Sequence, residues 1–542
     1  MTRQHGGTVT TGIPEWTQRA EKRGLDPLGM QTTSIALYQQ LMPGIGNVTL
    51  RMRYYGLYTW LSHSYAKHTG DVSPNAWRGY LRRAEALYAL VTALEGGEKV
   101  AAAATPDAAY ELGVAGVTWA IRAVATFPDG ELDFSENCDL DSRAPQYLAQ
   151  RFGAFGAAYG AQLVEVGLLQ YLENHSIPVP TPDSGDTLAL AFEAAIGDAA
   201  PLFLSVAAKA RVTKSELRTL QQMLPSRIDH AGEERRLYEE LLLGASLKVS
   251  PKANARRLSL RLVLRVAQAV GRVDANAVRW ALYSAHDAAG ASLPPLPADE
   301  GAQRDVWGAY QANDLLHVCY EALLKYSLDV LGLAPNGMPM DRLIGRVVTA
   351  LHAALGGHET WEELVASIDL SENAWSASQG VSEFALHKAV LKMADPLAVT
   401  TSNSAAGAVR LLAVLYKRYG SLVPQVAAQL PVLAEKTHLQ SIVTELTYLR
   451  QNATIPLADF LGQLVKRRVM ERHLWVAIHK FRSQGDYTFL IEGDEGRVRL
   501  RRKDGPALTN PRLASAITFL QDIHLLSPTA PTPAGLKVLE AA

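Results

Sequence analysis

The side chains best suited to hold a ligand are arginines. Between Ser246 and Arg272 the chain carries Lys248, Lys252, Arg256, Arg257, Arg261, Arg265 and Arg272 without one acidic residue. On a helix, Arg257, Arg261 and Arg265 recur every four residues and form a stripe, while Leu258, Leu262 and Val266 form the adjoining apolar face. A guanidinium presents a planar fork of N–H donors, so such a stripe suits a run of phosphates. It equally suits a helix that pairs with acidic neighbours such as Glu233, Glu234, Glu239 and Glu240 just upstream. A second basic stretch, Lys466 to Lys503, holds eleven Lys or Arg against five Asp or Glu. It begins with Lys466, Arg467 and Arg468, and towards its end Arg497, Arg499 and Arg501 alternate, which puts all three on one face of a strand.

Catalytic groups, by contrast, lack companions. There is no Gly-Lys-Ser/Thr phosphate loop, no Gly-x-Ser-x-Gly elbow and no His-Glu-x-x-His pair. His286-Asp287 resembles the central pair of metal-dependent HD phosphohydrolases, but no further ligands can be assigned to it. Asp314 and His317 stand one helical turn apart, as an orienting pair or a satisfied core histidine would. The acidic run Asp129, Glu131, Asp133, Glu136, Asp139 and Asp141 lacks calcium-loop spacing and reads as a solvated loop. Cys138 and Cys319 are too few and too far apart for a disulfide framework or a zinc site. No cofactor and no metal are expected, and the balance leans away from an enzyme.

The elements that must position these groups are helices. Apolar residues recur at three- and four-residue spacing, as in Leu258, Leu262, Val266 and Ala269, or Ile344, Val347, Val348 and Leu351. Breaks are expected around Asp129 to Asp141, Ile177 to Gly185, Ser292 to Pro297 and Pro335 to Pro339. With 542 residues, well beyond one growing core, they divide the chain into helical domains at 1–180, 186–292 and 298–455 and a last module at 456–542. Lys plus Arg (53) and Asp plus Glu (54) nearly cancel, so any nucleic-acid binding must come from local patches. The stretch Met1 to Pro14 has no apolar core and no run of about 18 uncharged apolar residues exists, so neither a signal peptide nor a membrane span is expected and the location expected is cytoplasmic.

The last module reads differently. A helix over about Phe460 to Ser483 precedes two alternating runs, Tyr487 to Glu492 and Arg497 to Arg501, flanking Gly493-Asp-Glu-Gly496, which is a hairpin signal. Thr509 or Asn510 is placed to cap a helix carrying Leu513, Ile517 and Leu520. The ending, Leu525-Leu-Ser-Pro-Thr-Ala-Pro-Thr-Pro-Ala-Gly-Leu, resembles the closing segment of bacterial winged-helix domains. The fold class expected is therefore mainly α, a multi-domain helical body with a C-terminal winged-helix-like α+β module. In such domains the wing commonly touches the DNA backbone, although winged helices also serve protein contacts.

Near the other end, Pro43, Gly44 and Gly46 make a turn, and Asn47 or Thr49 can cap a helix with Leu50, Tyr54, Leu57 and Leu61 on its buried stripe. Arg51, Tyr55 and Tyr58 fall on another face, free to stack on bases or to lie in a core. With Trp77 and Arg82-Arg-Ala-Glu85, this segment is similar to the N-terminal region of uncharacterised bacterial proteins, including domains of unknown function in antiviral-defence gene clusters. The resemblance implies a role beside other defence proteins. The function expected is a noncatalytic subunit that binds double-stranded DNA or serves as an adaptor to other protein subunits of such a system. A transcriptional regulator, or a metal-dependent nuclease or nucleotide hydrolase built from scattered residues, are the alternatives.

Overall fold

A computed structural model describes residues 26–103, 112–244, 251–271, 273–375, 380–430, 433 and 439–541. As the periodicity predicts, the chain is mainly helical, 63% helix against 5% strand. The strands β1 (Glu131–Asp133), β2 (Leu169–Gln170), β3 (Val179–Pro180), β4 (Arg211–Thr213), β5 (Ile491–Asp494) and β6 (Arg497–Leu500) form three separate antiparallel pairs, β1 with β4, β2 with β3 and β5 with β6.

On the N-terminal side are α1 (Gln31–Leu41), α2 (Arg53–His68), α3 (Pro74–Ala103), α4 (Gly185–Ile196) and α5 (Ala199–Lys209), with α2 packed on α4 and α3 on α5. Then come α6 (Pro251–Val270), α7 (Ala298–Gly332), α8 (Met340–Ala354) and α9 (Ser402–Tyr419). The C-terminal elements are α10 (Leu457–Gln463), which runs through a wide turn at Leu464–Met470 into α11 (Glu471–Gln484), then the β5–β6 hairpin, α12 (Leu513–Asp522) and α13 (Pro533–Glu540). One buried apolar cluster runs from Leu28 to Leu539 and includes residues from each of the four expected domains.

The axis of that cluster is α7, about 52 Å long at 1.5 Å per residue. Every residue from Trp307 to Asp329 is buried. Polar groups in such a helix need partners, because a bare buried charge is costly. Asp314, His317, Glu321, Lys325 and Asp329 recur at three- and four-residue spacing along one stripe, and the chain from Lys503 to Thr509 lies against it. Lys503 pairs with Asp329 at 2.6 Å, the Ala507 amide donates to Glu321 at 3.0 Å, and the Ala507 carbonyl accepts from His317 Nε2 at 2.7 Å. Thr509 donates from its amide and its hydroxyl to Asp314 at 3.1 and 2.8 Å.

The aromatic segment after the Pro-Gly turn is core, not a stacking platform. In α2, Tyr54, Tyr55, Leu57, Tyr58, Trp60 and Leu61 are all buried, and Tyr54 stacks on Tyr58 and Tyr159 with ring centroids 5.3 and 4.7 Å apart. Leu50, expected on the buried stripe, is exposed. Neither Asn47 nor Thr49 caps the helix, since Thr49 turns back to Gly46. The cap comes from the far end of the chain: Asp522, at the close of α12, accepts the Met52 amide at 2.9 Å and a bidentate fork from Arg51. A carboxylate there also meets the positive end of the helix dipole.

At the C-terminus the order helix, hairpin, helix, short bridge, helix is present. The hairpin turn is Glu495-Gly496, with φ of 47° and 75°, the two left-handed residues of a tight two-residue turn. Strand pairing begins only at Ile491 instead of Tyr487. On its outer edge β6 pairs with Met338, whose amide and carbonyl bond Val498 at 3.1 and 2.9 Å. Thr509 is occupied by Asp314, so α12 starts at Leu513 behind Arg512, which adopts φ 67°. Thr532 caps α13 through the Gly535 amide at 3.2 Å, with Pro533 in the first turn, as the Thr-Pro-Ala-Gly run predicts.

Candidate interaction surface

The arginine stripe forms on α6 but faces inward. Arg261 is 7% exposed; its Nε donates to Glu300 at 2.7 Å and its Nη groups donate to the carbonyls of Val538, Ala541 and Leu539 at 2.5, 2.8 and 3.3 Å. Arg265 reaches the other Glu300 oxygen at 3.0 Å and the Leu539 carbonyl at 3.0 Å. Arg257 leans on Asn254 and lies 3.7 Å from Asp299. The last carbonyls of a helix have no partner within it. Two arginines on α6 supply partners for α13, and Glu300, 1% exposed, offers one carboxylate oxygen to each of them. Instead of facing phosphates, Arg261 and Arg265 clamp the C-terminal helix, and the acidic partners of the stripe are Asp299 and Glu300, not the upstream glutamates. Arg256 is buried too, donating to the carbonyls of Pro43 and Leu241. Arg272 and Lys248 lie outside the described residues.

The second basic stretch divides. Arg468 is held by Glu445 and lies over the Tyr448 ring, and Lys466 pairs with Asp341 at 3.0 Å. Arg467 is exposed and borders an open groove of about 820 Å³ between α8 and α10. Arg497, Arg499 and Arg501 are all exposed on one face of the hairpin strand and its continuation, as alternation predicts. Arg501 pairs with Glu492 at 2.6 Å and lies over the Tyr487 ring at 4.4 Å.

Beside Arg501 and Tyr487 stands an exposed aromatic row on α11. The inner side of α11 is fixed by Val476, Ala477 and His473. The His473 ring accepts the Leu490 amide at Nε2 (3.0 Å) and donates from Nδ1 to the Pro27 carbonyl (3.1 Å). Burial disfavours its charged form and pulls its pKa down to about 4, so the ring is neutral. Arg472 and Lys480 donate to the Leu28 and Asp26 carbonyls, which ties α11 to the start of the described chain. The outer side carries Trp475, Ile478 and Phe481, which are 48%, 41% and 51% exposed, and Tyr487 beyond the helix is 42% exposed. Phe481 meets Tyr487 edge-on at 5.9 Å, and Trp475 lies between Arg472 and His479. The signal was available: Glu471 to Arg482 places apolar residues at 474 to 478 and 481, more than one buried face can use.

The remaining chemical candidates are structural. His317 sits between Asp314 at 3.1 Å and Glu321 at 3.4 Å; burial alone would lower its pKa, but these two carboxylates outweigh burial and hold it protonated. Asp314 is in turn paired with Arg279. His286 turns its Nδ1 to the Ser284 carbonyl at 2.6 Å, and Asp287 accepts the amides of Ala289 and Ala291. Among the described residues no group of three or more His, Cys, Asp or Glu is arranged to hold a metal ion, and no helix is long and apolar enough to cross a membrane alone. The chain matches no protein-family model, no curated protein and no solved structure.

Proposed function

We propose that this chain is a noncatalytic adaptor subunit that docks a protein partner on the outer face of α11 and the adjoining hairpin. One observation carries the reading: Trp475, Ile478, Phe481 and Tyr487 form an exposed apolar and aromatic patch with arginines at its border. Exposed apolar residues scattered singly need no explanation, but a patch of them beside a polar rim marks an interaction site. Trp, Tyr and Arg are the residues that dominate binding energy at protein interfaces. Arg472 lies over Trp475 and Arg501 over Tyr487, and Arg482 is exposed near the end of α11, so the partner surface is an apolar anchor with carboxylates placed to meet these cations. The N-terminal resemblance to proteins of antiviral-defence clusters supports a multi-protein bacterial system as the setting.

The exposed row Arg497, Arg499 and Arg501 favours a second reading, in which the hairpin serves as the wing of a winged helix and holds duplex DNA through phosphates. A photo-reactive phenylalanine analogue at Trp475, introduced in the native host, separates the two. A discrete protein adduct, weakened by Ile478→Glu and unaffected by nuclease, is expected, with none from the same analogue at exposed Leu190 on α4. No adduct at 475, or equal adducts at both positions, overturns the adaptor reading. A nuclease-sensitive adduct replaces it with nucleic-acid binding.

A further inference from the structure

A second site lies where α3 passes the end of α5. The spacing of Asn75, Arg78, Gly79, Arg82 and Arg83 puts all five on one face of α3. That face lines a cavity of about 350 Å³, closed on the other side by Lys209 and by the turn that holds Cys138 and Asp139.

The four cations here differ in how they are held. Arg82 is 1% exposed and fully engaged, donating to the carbonyls of Cys138, Gln150 and Leu148 and to the Gln146 side chain at 2.6 to 3.0 Å. It is a structural floor. Arg78, Arg83 and Lys209 make no ion pair or hydrogen bond among the described residues, and the Arg83 Nε is buried with no acceptor. A buried donor left without an acceptor costs free energy, as does gathering like charges. The one carboxylate in the lining, Asp139, is exposed and accepts the Asp141 amide at 3.0 Å. Three unpaired cations facing a common space with a saturated fourth beneath them form a receptor for a multiply charged anion.

We propose that the cavity between α3, α5 and the Cys138 turn binds a small phosphorylated anion, gripped by Arg78, Arg83 and Lys209. The volume exceeds what a lone inorganic phosphate fills and sits at the lower end of small-molecule sites. The lining has no aromatic ring on which a base could stack, so the ligand class is a compact polyphosphate or sugar phosphate, not a nucleotide. Cys138 in the lining is buried, and burial pushes its thiol up to about 12, so it offers the ligand no thiolate.

Isothermal titration of the full chain with inorganic pyrophosphate at low ionic strength tests this. Saturable 1:1 binding is expected. Each of Arg83→Gln and Lys209→Gln should weaken it by about tenfold or more, as the loss of a charge-assisted hydrogen bond does, while Arg467→Gln leaves it unchanged. Lys209 is exposed, so Lys209→Gln tests the site even where Arg83→Gln disturbs folding. Tighter binding of ATP than of pyrophosphate overturns the ligand class. No saturable binding, or binding that survives Lys209→Gln or falls equally with Arg467→Gln, overturns the site.

Discussion

Replacing Arg261 by alanine separates the two uses to which an arginine stripe can be put. The substitution strips Glu300 of one of its two arginine partners and the C-terminal carbonyls of α13 of three donor contacts. Breaking a buried ion pair by removing one partner costs about 3–5 kcal/mol. Arg265 still reaches Glu300 at 3.0 Å, which places the expected loss near the lower end, about 3 kcal/mol. Urea denaturation reads this as a lower midpoint at unchanged slope. Because the pair is coupled, Arg261→Met with Glu300→Gln should recover part of the loss, and the double-mutant cycle isolates the interaction. Hydrogen exchange should show the α13 amides losing protection first. A phosphate-binding stripe behaves in the opposite way: truncation relieves repulsion between like charges, leaves stability unchanged or raised, and lowers affinity for duplex DNA. An unchanged urea midpoint together with weakened DNA binding would refute the clamp.

The hairpin arginines give the converse test. Arg497→Ala should shift stability by less than about 0.5 kcal/mol, as exposed substitutions do. Under the adaptor reading the triple replacement of Arg497, Arg499 and Arg501 leaves duplex DNA affinity unchanged, whereas a DNA-holding wing loses about 0.9 from its log–log salt slope per contact. Residues 456–542 made alone should not fold cooperatively, because Asp522, Arg512 and the Lys503–Thr509 segment find their partners on α2, at Met42 and on α7; a sharp thermal transition in that fragment would show an autonomous module. His473 should make stability depend on pH. Its folded pKa, about 4, lies below the unfolded value of about 6.5, so the unfolded chain binds the extra proton between them. Stability should therefore fall as pH drops from about 6.5 towards 4, by about 3 kcal/mol from this group, and His473→Gln should flatten that part of the urea-midpoint profile.

Local rules were legible where local chemistry decides. Leu258, Leu262, Val266, Ile344, Val347 and Leu351 are buried as their spacing predicts, and Thr532-Pro533 starts a helix with the cap it advertises. The hairpin was legible too, because a two-residue turn with two left-handed positions needs a residue such as glycine, and Gly496 provides it. What failed did so through tertiary competition. Thr509 carries the chemistry of an N-cap, but the buried Asp314 takes both its amide and its hydroxyl, and the helix begins four residues later. Thr49 and Asn47 lost α2 in the same way to a carboxylate from α12.

The arginines show why the surface was harder to read than the fold. Seven cations without an acid in one stretch is a fact about sequence distance, whereas neutralisation is a fact about spatial distance. Glu300 lies 39 residues from Arg261, and the carbonyls that complete its fork lie 277 to 280 residues away. A guanidinium recognises a helix C-terminus for the same reason it recognises phosphate: both offer clustered oxygen acceptors with negative potential. Residue type and spacing therefore specify the chemistry of the acceptor without specifying whether it belongs to a ligand or to the chain itself. The discriminating quantity is what remains unpaired after folding. By that measure the α6 stripe is satisfied, while Arg78, Arg83 and Lys209 line a cavity and keep no ion-pair or hydrogen-bond partner among the described residues.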